Sequence, residues 1–408
     1  MTGIWYWARH EWGAIRRDRG ASAVLIAAAV LYALVYPIPF LYQVARDIGI
    51  VVVDLDRSAM SRQVTRMIDA AEQVRVHEIV GSEREAEERV RAGIVHGAVV
   101  IPSEFERHVQ RGERVIVGVY GDASYFSVYS QIATGASAAI GTFSAGVELR
   151  RLQASGFDAA SARQAREPLP LTVRTLYNPV GGYGNSNVPA VLILVLQQTM
   201  LIGIGTLAGG RRERSTEMLP RDDGLVRLLG RALVYVGIYL VHVVLTYFIA
   251  YRLYGLPHTE SLPVLMLFLL PFLVATAMLG LALSRLFLTA ESALQALMFS
   301  SLPAIFISGF SFPAEAMPSW IRALAQLLPS TQAIAGAQRV VQMGASFADV
   351  RTPWLTLWGL SAAYLVAAWG LTVRDRRSAA RIRDRVGGNA SDQPDDGRAE
   401  LPLEGLPS

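Results

Sequence analysis

The sequence predicts an α-helical polytopic membrane protein of about six transmembrane helices, with an α/β domain inserted on the extracytoplasmic side. Three observations predict it. Hydrophobic residues make up 52% of the 408 and charged residues only 18%, against about 25% charged in soluble domains. The charges gather at the N-terminus, in residues 46–120, in residues 211–231 and after Val373, and the stretches between them are long enough and apolar enough to cross a bilayer. Between the first and second such stretches, short β-branched runs alternate with charged helical ones, the pattern of a small sheet covered by helices.

Residues 2–17 come first. Ile4, Trp5, Trp7, Trp12 and Ile15 alternate with Arg9, Glu11, Arg16 and Arg17, which predicts an amphipathic helix on the membrane surface, where Trp favours the headgroup layer. The first span follows at residues 21–45. It is too long for the apolar core of a cleaved leader, about 7–15 residues, so it reads as an anchor, kinked near Pro37 and Pro39. The other spans are residues 188–208, 232–251, 262–283, 292–312 and 353–373. The fifth carries Ser300, Ser301, Pro303 and Ser308, which points to a broken or re-entrant helix. Arginines crowd the ends of alternate spans: Arg9, Arg16, Arg17 and Arg19, then Arg211, Arg212, Arg214, Arg221, Arg227 and Arg231, then six from Arg374 to Arg385. The excess of arginine on cytoplasmic loops then puts both termini in the cytoplasm and residues 46–187 and 313–352 outside. The tail, residues 374–408, is polar and reads as cytoplasmic and disordered.

The outer domain, residues 46–187, reads β-α-β-α-β-α-β. Strands fall at IGIVVVDLD, VRVHEIV, HGAVVIP and RVIVGVYGD, with helices at residues 59–72, 83–92 and 103–110, the last capped by Ser103. A long Ala- and Ser-rich helix over residues 124–156 leads back to the membrane. Asp54 and Asp56 stand at a strand end, where carboxylates usually cap the next helix. His77, His96 and His108 lack ligand spacing. No Ser/His/Asp set or Gly-rich phosphate loop accompanies them, so the domain reads as a binding or docking module.

All 38 basic residues are arginine. A Walker A loop needs the Lys of GxxxxGK[ST] to reach the terminal phosphates, so ATP driving this protein would be hydrolysed by another chain. The 408 residues contain no cysteine, which excludes disulfides, thiol catalysis and cysteine metal sites. No acidic residue falls mid-span, which argues against a proton-coupled pump.

Four segments carry a resemblance. VVVDLDRSAMSR (residues 51–62) and HGAVVIPSEFERHVQRG (96–112) resemble the outer-domain strands of the ABC type-2 exporter permeases, in their bacterial drug-efflux branch with a large domain between the first two transmembrane helices. LYNPVGGYGNSNVPAVLILVLQQT (176–199) is similar to the Y-N-P entry to that family's second span. GFSFPAEAMPSWIRALAQLLPSTQAIAGAQRVVQMG (309–344) is similar to its outer segment after the fifth. The likeness covers residues 5–375. One departure stands at RRERSTEMLPRDD (211–223), where the family reads close to ERGTLEQL…TP and Ser215 replaces the Gly.

The resemblance implies a non-catalytic permease subunit of an ATP-binding-cassette exporter in the bacterial inner membrane, moving hydrophobic or amphipathic molecules such as drugs outward. Its partners would be cytoplasmic ABC ATPase subunits, which bind the ATP and Mg, and a second permease subunit in a homo- or heterodimer. A periplasmic adaptor and an outer-membrane channel would extend the path; the bilayer is the medium, and no nucleic acid is involved. The chain itself would bind no cofactor or metal and hold no catalytic residue. Candidate ATPase-coupling residues are Trp7, Glu11, Glu213, Arg214 and Glu217, although arginines here also satisfy the inside bias and the glutamates balance them. Gln197, Gln198, Ser300 and Ser301 are candidates for the translocation path or dimer seam, since buried amides in a span need partners. Gly309, Phe310, Pro313 and Pro318 would form an outer gate, with residues 313–352 re-entrant. The alternative is a membrane sensor or scaffold with an extracytoplasmic binding domain, though no inner effector domain is evident. A membrane-embedded enzyme would need convergent carboxylates or histidines, which the sequence lacks.

Overall fold

The computed structural model describes residues 3–41, 45–166, 176–178, 182–214, 224–256, 262–310, 312 and 314–390. They form two units, residues 1–41 with 183–408 and residues 42–182.

In the first unit, α1 (Ile4–Arg17) precedes the first spanning segment, Arg19–Phe40. That segment comprises α2 (Arg19–Ser22), a π-helical stretch (Ala23–Ala28), α3 (Ala29–Val35) and a 3₁₀ turn (Ile38–Phe40). Pro37 ends the α-helix instead of kinking it, as expected of a residue with no N–H to continue the ladder. The later spanning segments are Gly184–Glu213, Gly224–Leu253, Leu262–Leu283, Ala290–Ile307 and Arg351–Asp375. The second lies in α9 (Tyr183–Glu213); the third joins α10 (Gly224–Tyr247) to a π-helical end, and the fourth and fifth are α11 (Leu262–Leu283) and α12 (Ala290–Ile307). Buried residues make up 72% and 67% of the apolar windows of α9 and α11, but only 17–22% of those of the first, fifth and sixth segments. So α9 and α11 form the centre, around the fully buried Tyr235, Tyr239, Phe268 and Phe272.

The fifth segment corrects the sequence expectation of a broken helix. α12 runs unbroken through Pro303, because the Ser300 and Ser301 hydroxyls donate to the Leu297 and Met298 carbonyls (2.8 and 2.6 Å) and so add no unmet polar groups. It ends at Ser308, followed by Gly309 with φ +88°, a conformation that favours glycine at a helix C-terminus. The tail expectation is corrected too, over residues 374–390: α15 (Arg351–Ala390) continues through them. Arg and Ala are good helix formers, and extending an existing helix carries no nucleation cost.

Two in-helix prolines free carbonyls that dock α14 and α15. A proline frees the carbonyl four residues earlier. Pro271 in α11 frees that of Leu267, which accepts from Trp354 Nε1 of α15 (3.2 Å). Pro189 in α9 frees that of Asn185, which accepts from Gln342 Nε2 of α14 (Pro329–Met343). At the other end of α14, the Ser330 N–H donates to Gln197 Oε1 (2.8 Å, buried). From Gly184 to Gln197 is about 20 Å at 1.5 Å per residue, so α14, preceded by α13 (Ser319–Ala325), lies along α9 from one end to roughly its middle.

The second unit is an α/β fold. Strands β1 (Ile48–Asp54), β2 (Val74–Val80), β3 (Gly97–Ile101) and β4 (Gly118–Gly121) form a sheet in the order β2-β1-β3-β4, with β4 alone antiparallel. One face, with Ile50, Val52, Val99 and Ile101, packs on α4 (Ala59–Asp69), α6 (Phe105–Arg111) and α7 (Phe126–Ala154). The other, with Val51, Val53 and Ala98, meets α5 (Glu83–Arg91). A short helix, α8 (Ala159–Arg166), follows α7.

Asp54 organises the turn into α4, accepting from the Asp56 and Arg57 N–H groups and the Ser61 hydroxyl, while Ser58 caps the helix. The cap expected from Ser103 is corrected: Glu104 holds the N-cap position at φ 60°, and a first-turn N–H, that of Glu106, donates to Asp56 Oδ2 (3.1 Å), 50 residues away in sequence.

Candidate functional site

The first unit's densest charge network joins α1 to the arginine-bearing ends of α9 and α10. Trp7, Ala8, Glu11 and Ile15 form the buried face of α1, at the spacing of one helical stripe. Opposite stands the α10 stripe Arg227, Arg231 and Tyr235, spaced i, i+4, i+8. Between them Gly230 allows close approach: a Cβ there would lie 2.7 Å from both the Ile4 carbonyl oxygen and Trp7 Cβ.

Glu11 is 1% exposed. One carboxylate oxygen accepts from Arg211 (2.8 Å); the other meets Arg231 Nε (3.0 Å) and accepts from the Tyr235 hydroxyl. Burial would push its carboxyl upward, but the Arg231 and Arg211 guanidiniums and the Tyr235 hydroxyl hold it well below the usual carboxylate range. Glu11 is therefore a fixed anion. The Arg227 guanidinium lies 5.2 Å from the Trp7 ring centroid, a cation–π contact. At the α1–α2 junction Asp18 caps α2 through the Ala21 N–H (3.0 Å) and pairs with Arg214 (2.8 Å). Burial raises the Asp18 pKa, but the Ala21 N–H and Arg214 outweigh it and hold it low. Arg212 donates to the Arg285 and Phe287 carbonyls (2.8 and 2.9 Å), and Arg285 pairs with Asp375 (3.3 Å).

The candidate residues therefore divide. Trp7 and Glu11 turn inward and fasten α1 to the bundle. Glu213 is exposed and Arg214 largely so, beside Asp18. Glu217 and Pro313 lie outside the described residues. Gln197 anchors α14, whereas Gln198 is half-buried, with Nε2 lacking a hydrogen-bond partner among the described residues. Ser300 is exposed, Ser301 half-buried, and both donate within α12. Phe310 packs against the bundle core, and Pro318 is the exposed N-cap of α13. Arg211, Arg231 and Tyr235, the partners of Glu11, were not singled out from sequence. The signal was there: two arginines on one face of a mostly apolar helix require an anion.

Six spanning helices and an α/β insertion between the first two define a multi-pass membrane protein. Residues 22–369 match the model of the ABC-2 family transporter proteins, and the chain belongs to that family as an ABC-type permease. It is 24% identical over 270 residues to the probable multidrug ABC transporter permease YbhS of Escherichia coli (strain K12), covering 63% of this chain and 67% of the relative. Over 114 residues it is 28% identical to the inner membrane transport permease YhhJ of the same strain, covering 28% and 30%.

Proposed function

We propose that this chain is the permease subunit of an exporter in the bacterial inner membrane, moving hydrophobic or amphipathic molecules outward on ATP hydrolysed by separate cytoplasmic subunits. The observation that carries this reading is the buried clamp of Glu11, Arg211, Arg231 and Tyr235. A lever must be rigid at its attachment, and a buried network of ion pairs and hydrogen bonds supports that rigidity. Motion imposed on α1, or on the exposed Glu213 and Arg214 beside it, passes to α9 and α10 without slack. The ATPase would bind at this end, where charge complementarity sets partner choice.

Both termini and the arginine-rich loop then lie in the cytoplasm, and the second unit faces outward. The first segment, α12 and α15 bury little within the chain, which supports a second permease subunit, identical or different, meeting one of these faces while lipid covers the rest. Gly309, Phe310 and Pro318, with α13 and α14, form the outer gate, and Gln198 faces the path or the seam. Among the relatives, YbhS carries the word multidrug in its name, which supports drugs as cargo; an adaptor and outer channel would complete such a route.

The test is co-purification of the chain with its ATPase in nanodiscs. Cargo-responsive ATP hydrolysis is expected from the complex and none from the chain alone. In Glu11→Gln the assembled complex should keep basal hydrolysis and lose the response to cargo. Hydrolysis by the chain alone, or an unchanged response in Glu11→Gln, would refute the reading.

A further inference from the structure

Among the described residues, the second unit carries a groove beside its sheet. α4, α6 and α7 cover one face of the sheet, and of the described elements α5 alone covers the other. On that second face, beyond α5, the neighbouring strands β3 and β4 align Ala98 with Tyr120 and Val100 with Gly118. The resulting cavity, about 670 Å³, is walled by Glu83, Ala86, Glu87 and Val90 of α5, at one-face helical spacing. Its size falls within the range of ligand pockets, roughly 300–1,000 Å³.

Two features define what it would hold. The Tyr120 ring is 59% exposed and lies over Gly118, where a Cβ would come 2.7 Å from Tyr120 Cε2. Glycine at that position lets the ring lie flat along β4 and offer a face for stacking. The rim is acidic: Glu83, Glu87 and Asp122 against Arg84. Arg84 and Glu87 are paired to Glu88 and Arg91 at 3.4 and 2.6 Å, whereas Glu83 and Asp122 form no ion pair among the described residues. The Ser124 backbone N–H and hydroxyl lower the Asp122 pKa from its ordinary value.

We infer that this groove binds a lipophilic organic cation, its aromatic or aliphatic body on Ala98, Val100 and Tyr120 and its charge against Glu83 and Asp122. An exposed ring face attracts cations, and the uncompensated carboxylates disfavour anions. The site stands on the second unit's geometry and needs neither ATP nor a partner subunit.

The test is fluorescence anisotropy of ethidium, a planar cation, with the full chain in zwitterionic nanodiscs, empty nanodiscs as background and the anionic dye 1-anilinonaphthalene-8-sulfonate as comparison. Saturable ethidium binding is expected, weakening as salt rises and about tenfold weaker in Glu83→Gln/Asp122→Asn, from two surface charge contacts. Gly118→Ala, which lifts the ring, should weaken it severalfold with unchanged far-ultraviolet circular dichroism. No saturable binding, equal affinity for the sulfonate, or variants within twofold of the parent would overturn the assignment. Because the measurement omits ATP and partners, its failure would leave the transport reading untouched.

Discussion

Glu11 lies buried among arginines: Arg211 and Arg231 on its oxygens, and Arg227 one turn away over Trp7. Neutralising it breaks two buried ion pairs at once, so Glu11→Gln should destabilise the attachment of α1 by about 3–5 kcal/mol. Faster hydrogen exchange in α1 would report this, and exchange as slow as in the parent would count against the clamp. A pH effect belongs to its neighbour. Burial, then the charge of Arg211, lowers the His10 pKa below 6.5, so detached α1 binds the proton more readily than attached α1. Stability is full above 6.5 and falls as pH drops from there toward the lowered value. The Glu11 carboxyl sits below its ordinary 4.5; its contribution is present above that value and is lost only as pH falls through the lowered one, so it is flat between pH 5 and 8. The protection of α1, taken relative to the intrinsic exchange rate at each pH, should therefore fall between pH 7.5 and 5.5 in the parent, and that fall should vanish in His10→Gln.

At the scale of elements, close approach and capping decide the packing. Gly230→Ala would force a methyl to within 2.7 Å of the Ile4 carbonyl oxygen and Trp7. Overpacking of this kind costs about 1–3 kcal/mol, and the melting temperature should drop while the second unit's exchange stays unchanged. Gln197→Leu leaves the buried Ser330 N–H without its acceptor, at a cost of about 1–3 kcal/mol; exchange at the start of α14 should quicken first. These contacts were not legible in the sequence, because each joins residues far apart in the chain. What could be read was local. The strand VVVDLD, the helix starts at Ser58 and Ser82 and the apolar runs announce themselves within a few residues. Misreadings came where polarity was judged without its partner. The serines of α12 suggested a break, yet they bond within their own helix; Ser103 suggested a cap that Asp56 supplies from another element. The carbonyls freed by Pro189 and Pro271 hold α14 and α15.

For the whole molecule, the number of spans was legible in the sequence, because spanning length and charge exclusion are bulk properties of a segment, whereas their ends were not: the third begins at Gly224, eight residues before the apolar run. The network at the arginine-rich end was hidden by that same logic: one bias toward inside arginines explains them all, and only the fold separates Arg211 and Arg231, which hold Glu11, from exposed Arg9, Arg16 and Arg17. The account rests on a layout in which the second unit and this end lie on opposite sides of the bilayer. The absence of cysteine makes it directly measurable. Single variants Ser82→Cys in the second unit and Glu213→Cys beside the clamp, treated with a membrane-impermeant maleimide on cells whose outer membrane alone is permeabilised, should label at position 82 and stay protected at 213 until the inner membrane is opened. Labelling of both positions, or of 213 alone, before the inner membrane is opened would contradict the account.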